Sequence, residues 1–380
     1  MKRVIFAGLL SLCVFLNNIA CAAITTKPAT AVNQFTAVVV KGAPVDANFS
    51  TGVSAAGVGI IDNTIIVAGG TNFKDNVAGK IGEQRYFKDI YGAVLKGNAK
   101  KLKWIKLNEF AEPLAYSANV VANNALYLIG GSNSSGDKAG FIEIKFVNGA
   151  LVKDTISYLP VLVTKAGGAA VGDYAYVVGG FQNGKPSNDM YRINLKAIKK
   201  GWQKVASYPE DARIQPVVTS QKDASGKVKL YMWGGYLPKQ GKYAPIPSCG
   251  GYKYDPDKNS WSPLGAPLNK EEQRVYLGGG CLAPVGEDKI VAFGGADFEN
   301  LLVELNGKDE KYYQHEPSWY KFNQEAYSFD TKTNKWQLLG TNPSFAKINA
   351  GVAVNGNTVY SLWGEIKPGI TTNLSVRADF

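Results

Sequence analysis

The chain has 380 residues, 45% of them apolar and 19% charged, with 42 glycines and a formal net charge of +11. This composition excludes disorder, a collagen-like chain and a coiled coil. Nearly all the positive charge is dispersed lysine, and the six arginines (Arg3, Arg85, Arg192, Arg213, Arg274, Arg377) form no basic tract or helix, so no nucleic-acid partner is expected.

The first element is an apolar run over residues 4–16, preceded by Lys2 and Arg3 and followed by Ala20-Cys21-Ala22. It is too short for a hydrocarbon core, which needs about 20 residues. Small residues at the third and first positions before Ala23 suit a signal peptidase. Residues 1–22 are therefore read as a secretory signal peptide and residues 23–380 as one mature domain, exported to the periplasm and without a membrane span. Lipid attachment at Cys21 is the less favoured alternative, because Asn18 sits poorly three places before it. Removal of the leader leaves Cys249 and Cys281, which either pair in an oxidising compartment or serve as two small buried hydrophobes.

From here the chain repeats itself. An apolar run closed by two glycines recurs at Gly69-Gly70, Gly130-Gly131, Gly179-Gly180, Gly234-Gly235 and Gly294-Gly295, and a sixth copy, VYSLWGE, reads Gly364-Glu365 with glutamate in place of the second glycine. A second apolar run and a turn signal precede each copy: Asp62-Asn63, Asn123-Asn124, Gly172-Asp173, Ser225-Gly226, Glu287-Asp288 and Asn355-Gly356. Two apolar strands across such a turn make a β-hairpin. Downstream come a strand with Tyr near Asp and a strand opened by Trp104, Trp202, Trp261 or Trp336. Four strands per unit, paired glycines and later Tyr and Trp resemble the kelch repeat. The fold expected is all-β, a six-bladed kelch-type β-propeller. Its last blade lacks a fourth strand, and residues 35–41, FTAVVVK, are expected to supply it and close the ring.

In such a blade, the loop entering the first strand and the loop leaving the second lie at the same end of the channel. That end is expected to collect Lys165, Arg213, Arg274 and Lys347 from entering loops and Asn72, Phe73, Ser132, Tyr236 and Glu365 from leaving loops. It also receives the two longest insertions, 71–87 and 296–324. A basic, aromatic and polar funnel with one carboxylate suits a small anionic ligand. Glu365 beside Trp363 is positioned to have a raised pKa and to act as general acid and base. His315, the single histidine, has no histidine partner and makes no metal site.

The stretch 364–369, together with six such repeats and a leader peptide, resembles the sialic acid mutarotases, the N-acetylneuraminate epimerases, in their cyclically permuted branch. The resemblance covers essentially the whole mature chain. It implies interconversion of the α and β anomers of N-acetylneuraminate in the periplasm, with Glu365 as acid and base and no cofactor or metal. It further implies substrate binding by Arg213, near Gln215, and the blade geometry adds Arg274, Asn72 and Phe73 from the same face. The sequence departs from the family at Thr371, where an arginine is expected, and Arg213, Arg274 or Arg85 are the candidates to replace it. The competing reading is a non-catalytic carbohydrate-binding or protein-binding propeller. The sequence assigns no oligomeric state.

Overall fold

The computed structural model describes residues 34–74, 81–97 and 100–380; the leader reading of residues 1–22 lies outside them. Alternating apolar strands and tight turns fold these residues into antiparallel sheets arranged like a propeller. The first sheet holds Gly57–Ile61, Thr64–Ala68, Asp89–Val94 and Ile105–Glu109. Later sheets start at Gly167–Val171, Val217–Lys222 and Cys281–Val285, each with four strands in the same consecutive order.

Two sheets differ from this plan. The one that starts at Ala118–Ala122 has seven strands, because Gly136–Val147 and Ala150–Thr164 run on as a long ribbon that also pairs with Ser132–Asn133 and Phe181–Gln182. The last combines Gly351–Asn355, Thr358–Leu362 and Ser375–Asp379 with Thr36–Val40 from the other end of the chain. Residues 36 to 40 pair residue for residue with Asp379 to Ser375, so the early strand completes the last sheet as its sequence suggests. Five sheets thus have four strands, and the second is enlarged.

Apolar clusters fill the spaces between consecutive sheets. Ile61, Ile66 and Ile90 meet Leu126, Leu128 and Ile144 between the first and second, and Val58 and Val67 meet Tyr360 and Leu362 between the first and last. The strand-opening tryptophans pack onto the preceding sheet: Trp104 lies 5.1 Å from Trp363, Trp202 5.2 Å from Phe141 and Trp336 5.0 Å from Trp233, ring centre to ring centre. Cys249 and Cys281 are both free, so no disulfide braces the sheets. Among the described residues no helix is long and apolar enough to cross a membrane.

The structure corrects the alignment of the sixth repeat. Paired positive φ angles mark both glycines of the other five copies, and in the last they fall on Trp363 (+56°) and Gly364 (+94°). The hydrogen bonds agree. The second-glycine N–H of four copies reaches Leu114, Val163, Arg213 or Lys347 O, and Gly364 N–H reaches Val53 O. Trp363 therefore takes the first glycine's place and Glu365 follows the pair, equivalent to Thr71, Ser132, Tyr236 and Ala296. A left-handed tryptophan is strained; burial against Trp104 and Phe49 holds it there.

Candidate active site

Immediately before each innermost strand the backbone makes one left-handed turn. The residues are Ala55, Tyr116, Lys165, Gln215, Gly279 and Asn349, with φ between +52° and +71°. They link into a belt of backbone hydrogen bonds: Tyr116 N–H to Ala55 O, Lys165 to Tyr116, Gln215 to Lys165, Asn349 to Gly279 and Ala55 to Asn349, at 2.7 to 3.1 Å. All six line a central cavity of about 160 Å³. Five bring side chains of different chemistry to one rim, and the fifth sheet, with Gly279, brings none.

Glu365 stands beside this rim, outside the cavity lining itself but bonded to the rim residue Asn349. It opens a two-stranded hairpin, Glu365–Lys367 with Ile370–Thr371, in which Thr371 pairs directly across from it. Its backbone is bridged to Ile348 in both directions, at 2.9 and 3.0 Å, next to Asn349. The side chain is 5% exposed. Gly369 N–H donates to Oε2 at 3.0 Å, and Asn349 Nδ2 donates to Oε1 at 3.4 Å. Gln215 Nε2 in turn donates to Asn349 Oδ1 at 3.3 Å, reaching past the bare Gly279 sector. Burial pushes the Glu365 carboxyl above its usual range; the bonds from Gly369, Ser54 and Asn349 pull it part of the way back, and the charge of Glu304 raises it again.

Beside it, Lys165 Nζ lies 5.1 Å from the centre of the Tyr116 ring. Burial lowers the lysine's pKa, while the charges of Asp137 and Glu365 oppose that shift. Burial likewise raises the Tyr116 phenol, helped by the Glu365 charge, and Gln84 Nε2 donates to its hydroxyl at 3.1 Å. Ammonium, phenol and two amides therefore line one cavity, and the Glu365 carboxyl adjoins it through Asn349.

Other expected site residues lie elsewhere. Arg213 is 2% exposed and does not line the cavity: its guanidinium donates to Gly234 O and Gly250 O at 3.2 and 3.0 Å, pairs with Glu210, and lies against the rings of Tyr208 and Tyr252. It acts as a structural brace through Nη1, which serves both carbonyls, while Nε is buried without a hydrogen-bond partner. Arg274 is exposed and also outside the cavity lining. Asn72 is fully buried. Its amide donates to Asn48 O and Gly52 O at 2.8 and 3.2 Å and accepts from Arg85 Nε at 3.0 Å, which holds the 46–52 loop in place. Phe73, half-buried, follows it in the same short strand. Lys347 turns inward to Leu374 O at 2.9 Å and Ser361 O at 3.4 Å, and burial pulls its pKa down to about 8.

Insertion 296–324 packs over this end. Helix Phe298–Leu305 begins at Asp297, whose carboxylate accepts from Asn300 N–H. Tyr312, Tyr320 and Phe322 form a small core that also takes in Val303 and Ile348. His315 stacks on Trp319 at 3.9 Å and bonds to Asp309 Oδ2 at 2.6 Å. Sequence reasoning overlooked Tyr116 and Asn349. Alignment of the six entering loops, rather than the glycine pairs, carries the signal for both.

Residues 157–380 match the family described as N-acetylneuraminate epimerase. Over 228 residues the chain is 30% identical to the N-acetylneuraminate epimerase of Haemophilus influenzae strain 86-028NP, covering 56% of each chain. It is 28% identical over 230 residues to that of Brucella melitensis biotype 1, again 56% of each. The Salmonella typhi enzyme of the same name is 27% identical over 207 residues, 51% of each. The chain thus spans about half the length of these curated relatives. Among solved structures, that of YjhT superposes with a TM-score of 0.61 at 16% identity, over 89% of this chain and 96% of that one, which speaks to the fold.

Proposed function

Because this chain belongs to the N-acetylneuraminate epimerase family, we propose that it is a mutarotase that interconverts the α and β anomers of N-acetylneuraminate through acid/base ring opening and reclosure. The six sheets are read as six blades of a kelch propeller, the second enlarged, with the Glu-centred hairpin leaving the last blade as in a cyclically permuted member. Export to the periplasm through the leader 1–22 belongs to the same proposal.

The observation that carries the reading is the Glu365 carboxyl, buried beside the rim residue Asn349, hydrogen-bonded to it and to Gly369, and raised in pKa by its burial. Mutarotation needs a proton taken from the anomeric hydroxyl and one delivered to the ring oxygen; the ring C–O bond then breaks, the open keto form rotates, and the steps reverse. A carboxyl whose pKa burial raises above the usual range is suited to both transfers. Lys165 supplies the cation for the sugar's carboxylate, the part that Thr371 cannot play. Thr371, Gln215, Asn349 and Tyr116 offer hydrogen bonds to hydroxyl and amide groups of the sugar.

The test is NMR exchange between the two anomers with the purified mature protein. Acceleration over the uncatalysed rate, abolished in Glu365→Gln, supports a mutarotase centred on Glu365. No acceleration by a folded parent rejects it in favour of a binding propeller.

A further inference from the structure

Ring opening moves two protons at two oxygens: the anomeric hydroxyl loses one and the ring oxygen gains one. The Glu365 carboxyl adjoins the cavity through Asn349, and among the residues that line the cavity one carries a phenol, Tyr116. Resting on the mutarotase reading, we propose that Tyr116 is the proton donor to the ring oxygen, held in place by Gln84 of insertion 71–87.

The backbone singles this tyrosine out. Tyr116 takes the left-handed turn at φ +58°, which glycine and asparagine adopt readily and a bulky aromatic residue adopts at a cost. Gly279 and Asn349 fill the same turn in other sheets. Its N–H donates to Ala55 O and its carbonyl accepts from Lys165 N–H, at 2.9 and 3.0 Å, so the belt fixes the point from which the side chain springs. Strain retained in a cavity wall points to a role for the side chain that bears it.

Hydrogen bonds then set the direction of the hydroxyl. Gln84 and Tyr86 are two residues apart on one short strand, hence on the same face of its hairpin. Tyr86 hydroxyl donates to Gln84 Oε1 at 3.1 Å, which turns the amide so that Nε2 donates to the Tyr116 oxygen, also at 3.1 Å. With that oxygen accepting, the phenol's own proton is left to be donated, and among the described residues no acceptor takes it. Lys165 Nζ lies over the ring, 5.1 Å from its centre, and remains the cation for the sugar's carboxylate. The titratable groups that face the phenol are Glu365, Tyr86, Tyr236 and Lys165. Burial and the Glu365 charge both raise the phenol's pKa, so the hydroxyl enters the reaction protonated.

Ionised Glu365 takes the proton of the anomeric hydroxyl. The ring C–O bond breaks with its electron pair going to the ring oxygen, which takes the Tyr116 proton, and the carbonyl forms. Gln84 Nε2 steadies the phenolate left behind. After the open keto form rotates, the new hydroxyl returns its proton to Tyr116 as its oxygen attacks the other face of the carbonyl carbon, and Glu365 gives its proton to the carbonyl oxygen. Both residues end as they began.

The experiment is the anomer-exchange assay on the full mature protein, with Tyr116→Phe, Gln84→Leu, the double variant, and a protein carrying at position 116 a fluorinated tyrosine, whose phenol is more acidic. Tyr116→Phe should lose at least tenfold in kcat with KM within threefold. Gln84→Leu should lose less, and nothing further when added to Tyr116→Phe. In the fluorinated protein, which keeps the shape of the side chain, the rate should begin to fall at a lower pH than in the parent, as the donor loses its proton. Three results overturn the role of Tyr116 and leave the mutarotase reading standing: a folded Tyr116→Phe that matches the parent in kcat, one that changes KM alone, or a fluorinated protein with the parent's pH profile. A Gln84→Leu loss that persists in the Tyr116→Phe background overturns the positioning role of Gln84. A parent that leaves the anomers at their uncatalysed rate overturns the mutarotase reading, and this role with it.

Discussion

The hairpin of Thr71–Phe73 with Gln84–Tyr86 and the hairpin of Glu365–Lys367 with Ile370–Thr371 leave neighbouring sheets at the same end of the channel and pack against each other. Each begins just after a left-handed pair, Gly69-Gly70 in one and Trp363-Gly364 in the other. Each buries a polar side chain near its start. Asn72 donates to two backbone carbonyls and accepts from Arg85, so the cost of its burial is offset within the fold. Glu365 is also buried and accepts from Gly369, Ser54 and Asn349, but it carries an acid group that burial penalises. The satisfied residue belongs to the scaffold. Glu365, whose acid group burial penalises, is the residue assigned to the chemistry in the proposed function.

Substitutions can break or sharpen that contrast. The largest effect is expected at Glu365→Gln, which should lower the anomer-exchange rate by about 100-fold or more, the scale of general acid/base catalysis, with an unchanged circular dichroism spectrum. A loss under threefold would remove Glu365 from the chemistry. Asn72→Ala is expected to do the reverse. It should cost about 1–3 kcal/mol in denaturant unfolding, since Arg85 and two carbonyls lose their partner, while the rate per folded molecule stays within about threefold. An unchanged stability with lost activity would move Asn72 back into the site. Lys165→Met is expected to raise KM by about tenfold, about 1.4 kcal/mol of binding, with kcat nearly intact; a fall in kcat alone would show that the ammonium acts on the reaction and not on the sugar's carboxylate.

The smallest effect is a trend with pH. The folded-state pKa of Glu365 lies above its ordinary 4.5, so its protonated form contributes stability that is complete below that value and lost as pH rises through the folded pKa. Melting temperatures of the parent should therefore fall relative to Glu365→Gln as pH rises above the ordinary 4.5. A difference that stays flat, or moves in the parent's favour, would contradict a carboxyl raised in pKa by its burial.

The glycine pairs, the turn dipeptides and the later tryptophans were enough to read the sheets and the strand that closes the last one, because each is a local demand on φ or on packing that recurs at nearly the same interval. Glu365 was legible for a related reason: it interrupts the repeat. Its alignment was one residue off, since nothing in LWGE announces that a tryptophan adopts the left-handed angle glycine holds elsewhere. Arginine scarcity was the weaker guide. Arg213 looked like an anion ligand, and the fold spends it on the carbonyls of Gly234 and Gly250.

By itself, then, the sequence determined the all-β repeat, the pairing of its two ends and the position of a carboxylate at the channel mouth, through periodic apolar strands and residues that permit special backbone angles. Only the tertiary structure decided which polar side chains are satisfied and which are left open. That depends on carbonyls and N–H groups contributed by residues as distant as Gln215 and Asn349, which the belt of left-handed turns brings to one rim.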